Sequence, residues 1–142
     1  MTLKLKIKKL ESDARIPTQG YVGDAAFDLY ASHAVVLSPN ERAQIGTGLA
    51  MEIPEGYTAF IWDRSSMSHK YGLKSLGGVI DSGYRGEVKI GLVNLSDEAR
   101  VIEKHHKIAQ MVIQKNEAFT IVEEDTLSES ERGTEGFGST GK

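Results

Sequence analysis

Ala43-Gln44-Ile45-Gly46-Thr47-Gly48-Leu49-Ala50-Met51-Glu52-Ile53-Pro54-Glu55-Gly56-Tyr57-Thr58-Ala59-Phe60-Ile61-Trp62 holds two apolar-rich runs, 43–53 and 57–62, parted by Pro-Glu-Gly. Proline presets the backbone for a turn and glycine accepts the conformations that close one, so the stretch predicts strand, turn, strand. Runs of the same kind occur at 34–37, 87–95, 107–113 and 119–122, again separated by turn chemistry such as Ser38-Pro39-Asn40. At the start, Leu3, Leu5 and Ile7 alternate with Lys4, Lys6 and Lys8. That alternation predicts a strand with one apolar face and one solvated, aggregation-resistant lysine face. Many short strands without a long helical period read as an all-β barrel or jelly roll.

One segment departs from this pattern. Ser65-Ser66-Met67-Ser68-His69-Lys70-Tyr71-Gly72 offers serine N-cap candidates and a glycine stop, which predicts a single short helix. The chain has 142 residues, enough for one domain with one core. After Val122 the composition shifts to Glu, Asp, Ser, Thr and Gly, with Leu127 and Phe137 the only apolar side chains. Residues 1–122 are therefore expected to form the domain and 123–142 a flexible tail.

Seventeen basic residues stand against 20 acidic ones, so no general attraction to nucleic acid or to an anionic membrane is implied. A phosphate ligand would have to be held by locally placed groups. The absence of cysteine removes disulfides and thiolate metal sites and suits a reducing cytosol. No unbroken apolar run of signal-peptide or bilayer-spanning length occurs, and a soluble cytoplasmic protein is the expectation.

The densest chemical signal is Gly77-Gly78-Val79-Ile80-Asp81-Ser82-Gly83-Tyr84-Arg85-Gly86. It sets a carboxylate and an aromatic ring three residues apart in what reads as a glycine-bounded hairpin, where glycines let a flat ligand approach the backbone. The competing reading is an ordinary hairpin with Asp81 capping a turn. Trp62-Asp63-Arg64-Ser65-Ser66 ends a strand and begins the helix, so Arg64 and the serines are placed to meet an anion at a helix N-terminus; the bland alternative is a capped helix with a surface arginine. In the tail, Arg132-Gly133-Thr134-Glu135-Gly136-Phe137-Gly138-Ser139-Thr140-Gly141 combines a cation, hydroxyls, mobile glycines and one ring suited to stacking on a base, or it is a plain Gly/Ser linker. Residues 136–142 match P-loop spacing as far as Lys142 but lack the following hydroxyl and helix, which excludes that motif. Asp28 lies beside a strand, and Gln110 interrupts an apolar run with a side chain that needs partners if buried. His105 and His106 are read as turn residues, not as a shared metal site.

Five segments, 25–31, 64–66, 78–86, 107–112 and 132–141, together and in this order resemble the five signature motifs of the trimeric dUTPases. The resemblance implies a distorted jelly roll, or β-clip barrel, with one short helix and a mobile C-terminal arm. It further implies a homotrimer whose active sites are shared, the arm of one subunit closing over the pocket of another. The implied reaction is hydrolysis of dUTP to dUMP and pyrophosphate with Mg2+, which limits uracil in DNA and supplies dUMP for dTMP synthesis. By matching positions, Asp81 would orient and deprotonate the attacking water. Tyr84 would lie under the deoxyribose, and the backbone of Gly78, Val79 and Ile80 would pair with uracil. Arg64, Ser65, Ser66 and Gln110 would hold the triphosphate. From the tail, Arg132, Gly138, Ser139 and Thr140 would reach the phosphates, and Phe137 would stack on the base. Asp28 would help place magnesium through bound water.

Several positions depart from the family's usual pattern. Asp63 replaces a small residue or proline, Ser75 an asparagine of many bacterial members, His105-His106-Lys107 the more usual Gly-Asp-Arg, and Glu135 a tail glycine. If the strand runs that far, alternation predicts that Asp63 and Arg64 point to opposite faces. A dCTP deaminase, which shares the fold, has a glutamate acting in deamination after the aromatic residue, where this chain has Arg85. A nucleotide-sensing or protein-binding member of the fold is the rival from another class.

Overall fold

The computed structural model describes residues 2–141 and is almost entirely β. Ten strands form: β1 (Lys6–Lys9), β2 (Ala26–Tyr30), β3 (Val35–Leu37), β4 (Arg42–Glu52), β5 (Tyr57–Trp62), β6 (Leu73–Leu76), β7 (Val79–Ile80), β8 (Glu87–Asn94), β9 (Arg100–Ile102) and β10 (Lys107–Lys115). They assemble into two four-stranded sheets, β1-β4-β8-β6 and β2-β10-β5-β7, and a two-stranded ribbon, β3-β9. Every pairing is antiparallel.

Period-two burial is clearest in β8, where Val88, Ile90 and Leu92 point inward and Lys89 outward. Residues 45–51 of β4 are instead buried throughout, because the strand is covered on both sides. Its small residues allow that. The β4–β8 register slips between Gly46 and Ala50, and in the slip Thr47 donates to the Val88 carbonyl at 2.7 Å while Gly48 N–H donates to Glu87 Oε1 at 3.0 Å. The core takes Ile45, Leu49, Ile90 and Leu92 from one sheet, Leu29, Ile61, Ile108 and Met111 from the other, and Leu37 and Ile102 from the ribbon.

Asn94, fully buried at the end of β8, ties the ribbon on. Its amide donates to the carbonyls of Leu37 (2.9 Å) and Glu98 (2.8 Å), and its oxygen accepts from the Ser96 N–H and hydroxyl. All its hydrogen-bonding capacity is used, which is what makes a buried amide tolerable.

Several expectations need correction. Residues 119–122 form no strand, and Phe119, Ile121 and Val122 are exposed, since no described strand lies alongside to pair with them. At the start only residues 6–9 pair, so Leu3 stays in solvent and Leu5 and Ile7 are half-buried. The short helix spans Ser66–Lys70, a single wide turn in which Tyr71 N–H reaches Ser66 O at 3.3 Å, and Met67 anchors it to the core. Its serine caps are not used: Ser65 already has helical dihedrals and no capping hydrogen bond from its side chain. Among the described residues no helix is long and apolar enough to cross a membrane.

Candidate active site

Residues 77–86 are not a simple hairpin. The strands flanking them, β6 and β8, pair with each other in the first sheet (Leu76↔Gly91), while β7 leaves that sheet and pairs with β5 in the second (Ala59↔Ile80, Phe60↔Val79). The excursion is pinned where Ile61 N–H donates to Gly78 O at 2.7 Å. Gly78 has φ +132°, and a Cβ there would stand 2.8 Å from Ile61 O. Its lack of a side chain thus serves this internal approach, rather than only leaving room for a ligand as the sequence suggests. Because β7 is the outer strand of its sheet, the backbone groups on its free side have no strand partner and can meet the edge of a planar molecule.

After β7 the chain turns tightly, with Tyr84 N–H on Asp81 O at 3.1 Å. Arg85 clamps the turn by donating to the carbonyls of Ser82 (2.6 Å) and Tyr84 (3.1 Å). The Tyr84 ring folds across Gly86, and its hydroxyl donates to Glu87 O at 2.8 Å. Asp81 projects from this turn, and among the described residues its carboxylate has neither an ion pair nor a hydrogen bond. A concavity of about 410 Å³ lies over the turn, lined by Val79, Ile80, Asp81 and Tyr84 together with Gln44, Glu87 and Lys89. The last three were not anticipated. Gln44 alone carried a readable signal, an amide inside an apolar run, of the same kind that singled out Gln110.

Arg64, Asp28 and Gln110 gather elsewhere, at the far side of the second sheet. Asp28 on β2 lies opposite Gln110 on β10, which lies opposite Trp62 on β5. Arg64 Nε contacts Asp28 Oδ1 at 2.9 Å, and Lys107 Nζ contacts Asp28 Oδ2 at 3.0 Å. Two cations share one mostly buried carboxylate, beside a concavity of about 430 Å³ lined by Asp24, Asp28, Trp62 and Gln110. Lys107 reaches Asp28 where the register of β10 slips between Lys107 and Ala109. A bulge re-aims side chains in a way that no period-two pattern shows.

Ser65 and Ser66 follow Arg64, but the helix they open has five residues. A turn that short has little dipole, so affinity for an anion there rests on Arg64, Lys107 and the hydroxyls. Asp63 and Arg64 reach different partners, Lys74 and Asp28, but strand alternation is not the cause, because β5 ends at Trp62 before either residue. Burial raises the Asp63 pKa, but the hydrogen bonds from Lys74 and from the Ser75 N–H outweigh it and hold the carboxyl below its ordinary value. His105 carries φ +67°, which explains why glycine is usual at this position; its Nε2 lies 3.0 Å from Asp13 O. His106 Nδ1 accepts from Glu103 N–H at 3.1 Å.

Three strand spacings, ~14 Å, separate β2 from β7. Asp81 lines the first of the two concavities and Asp28 the second, and neither of the two contains both. Nor does the tail reach either: Arg132 donates to Glu135 O at 2.7 Å, Ser139 N–H to Gly136 O, and Phe137 is fully exposed with φ +50°. Gly138 and Thr140 lie in the same exposed run.

The site thus combines an all-β frame, an uncommitted carboxylate beside an open strand edge, and a separate corner where Arg64 and Lys107 meet Asp28. The family model described as dUTPase matches residues 12–141, and the chain belongs to the dUTPase family. Relatives named deoxyuridine 5'-triphosphate nucleotidohydrolase include that of Nautilia profundicola, 49% identical with 99% of this chain and 100% of the relative covered, and that of Thermobifida fusca, 43% identical with 99% and 80% covered. Among solved structures, the dUTPase of Staphylococcus bacteriophage 80alpha with dUPNHPP superposes with a TM-score of 0.94 at 33% identity, covering 99% of this chain and 100% of that one. The dUTPase of S. aureus phage phi11, described with a structural Mg(II) ion in a mutant form, gives 0.84 at 27% identity over 89% of this chain and 100% of its own.

Proposed function

We propose that this protein hydrolyses dUTP to dUMP and pyrophosphate by attack of water on the α-phosphorus. The observation that carries the reading is the place of Asp81. Asp28 and Asp63 are tied to cations, whereas Asp81, with no partner among the described residues, lines a concavity on a clamped turn with Tyr84 beside it. A carboxylate without an internal partner is available to accept a proton from water, as a general base must be. The names of the relatives and the nucleotide analogue in the phage enzyme support the substrate.

In this reading the open edge of β7 at Gly78, Val79 and Ile80 pairs with uracil. The Tyr84 ring, held over Gly86, forms the floor under the deoxyribose and leaves no room for a 2′-hydroxyl. Arg64, Ser65, Ser66 and Gln110 take the triphosphate, with Lys107 as a further cation. Arg132, Gly138, Ser139 and Thr140 add contacts from the tail, and Phe137 stacks on the base. Closure of the tail, residues 123–142, would exclude bulk water.

The donor set available to Mg2+ fits an indirect role. Among the described residues no cluster of three acids or histidines exists, and both Asp28 oxygens are already paired. A carboxylate oxygen keeps lone pairs for a water even when paired, so Asp28 can reach an ion that arrives on the triphosphate through that ion's hydration shell. When bound, the ion supplies charge neutralisation on the phosphates.

That Asp81 and Asp28 line different concavities, three strands apart, supports a site completed by neighbouring copies, in a homotrimer. Phe119, Ile121 and Val122, exposed in sequence just before the tail, supply apolar surface for such assembly. We place the enzyme in the cytoplasm, where it would limit uracil in DNA and supply dUMP for dTMP synthesis.

The test is pyrophosphate release from dUTP, dCTP, dTTP and UTP, with Mg2+ and with a chelator. Magnesium-dependent release from dUTP alone is expected. Release from none of the four would overturn the reading in favour of a binding protein, and ammonia from dCTP would point to deamination.

A further inference from the structure

Asp63 stands one residue before the triphosphate-binding corner, where a free carboxylate would repel the ligand. Its surroundings account for its presence. Asp63 Oδ1 accepts the Ser75 N–H at 2.6 Å, and Oδ2 pairs with Lys74 Nζ at 2.7 Å. Lys74 Nζ is itself fixed by the Ser75 carbonyl (3.1 Å) and hydroxyl (3.3 Å). The Asp63 side chain is thereby bolted to β6, in the first sheet. The main chain of the same residue is bolted to the second sheet, since Gln110 Nε2 donates to Asp63 O at 2.8 Å. Arg64, next along, reaches the other way to Asp28 on β2.

We propose that Asp63 is a positioning residue for the triphosphate, and that Lys74 is the counter-charge that makes it harmless to that anion. The strut to β6 fixes where the β5–helix corner sits, and so presents Arg64, Ser65 and Ser66. The Asp63 carbonyl orients the Gln110 amide and leaves the second Gln110 N–H and its oxygen for other partners. A position usually occupied by a small residue or proline here carries a side chain that restrains the corner through an ion pair. Lys74 supplies the cation and the Ser75 hydroxyl helps to hold that cation in place. The inference rests on the proposed dUTP hydrolysis.

The experiment compares wild type with Asp63→Ala, Asp63→Asn, Lys74→Met and the Asp63→Asn/Lys74→Met double variant. It reads kcat and KM for dUTP, inhibition by dUMP, and thermal midpoint. Loss of the strut in Asp63→Ala is expected to raise the KM for dUTP ~10-fold or more, because small displacements of positioning groups carry large costs. The constant for dUMP, which lacks the β- and γ-phosphates, is expected to move much less. Asp63→Asn keeps an acceptor for the Ser75 N–H and is expected to recover most of the loss. Lys74→Met leaves an uncompensated carboxylate beside the ligand and is expected to be worse than the double variant, in which both charges are gone.

Equal losses for dUTP and dUMP in step with a fallen thermal midpoint would overturn the proposal in favour of plain structural support. So would an Asp63→Ala enzyme with wild-type constants, or a double variant worse than Lys74→Met. Wild-type protein inactive on dUTP would instead overturn the proposed function itself, a result separable from all of these.

Discussion

Asp81 and Asp28 differ in partners, not in chemistry, and their positions decide their use. Asp28 is spent on Arg64 and Lys107, so its removal would release two cations at the corner after β5, while Asp81 has no partner among the described residues. Asp81→Asn is therefore expected to keep the thermal midpoint and nucleotide binding by calorimetry while lowering kcat by at least ~100-fold. Full turnover in that variant would exclude the general-base role. Gly86 provides a sharper test of the sugar floor. A Cβ there would lie 2.5 Å from the Tyr84 hydroxyl, the far end of a side chain that can swing aside. Gly86→Ala should thus displace the ring without unfolding the domain. We expect a change in thermal midpoint under ~3 °C and at least ~10-fold loss of discrimination between dUTP and UTP in kcat/KM. Unaltered discrimination would remove Tyr84 from the selectivity argument.

Among the elements, strands with a clear apolar run or alternation were readable, the short β1 and β3 among them, and those of mixed polarity were not. Runs 43–53, 57–62, 87–95 and 107–113 correspond to β4, β5, β8 and β10 to within two residues. The strands β6 (Leu73–Leu76) and β9 (Arg100–Ile102) gave no such signal, since three or four residues with mixed polarity have no measurable period; their partners in β8 and β3 decide them. Residues 119–122 have the composition of a strand yet do not pair, which shows the converse: composition permits a strand, and a neighbour makes one. The junction of β8 with the ribbon rests on Asn94. Asn94→Ala would leave the buried Leu37 carbonyl without its side-chain donor, open a void at a fully buried position, and cut the links to the more exposed Glu98 carbonyl and Ser96 N–H. We expect a loss of about 3 kcal/mol in chemical denaturation, and a loss below about 1 kcal/mol would show that water or rearrangement replaces the amide.

For the whole molecule, Asp28 on β2 lies at one edge of the second sheet and the turn bearing Asp81 follows β7 at the other edge, and Arg132 and Phe137 of the tail lie in an exposed run. Removal of residues 132–142 is expected to leave folding intact and to cut turnover of dUTP at least ~100-fold, checked by thermal melting beside the activity assay. If the tail acts on a neighbouring copy, mixing Asp81→Asn subunits with tail-deleted subunits after exchange should restore activity that neither has alone. No recovery from mixed subunits of demonstrated exchange would place the tail over its own subunit's site. What the residue order determined by itself was local. Turn chemistry, period-two burial and the five motif segments established an all-β frame and the identity of the chemical groups, because these depend on near neighbours in the chain. Only the tertiary structure decided which groups meet. The excursion of β7 into the second sheet, the capture of Asp28 by two cations and the tethering of Asp63 to β6 all join residues remote in sequence, and a linear pattern contains no term for such distances.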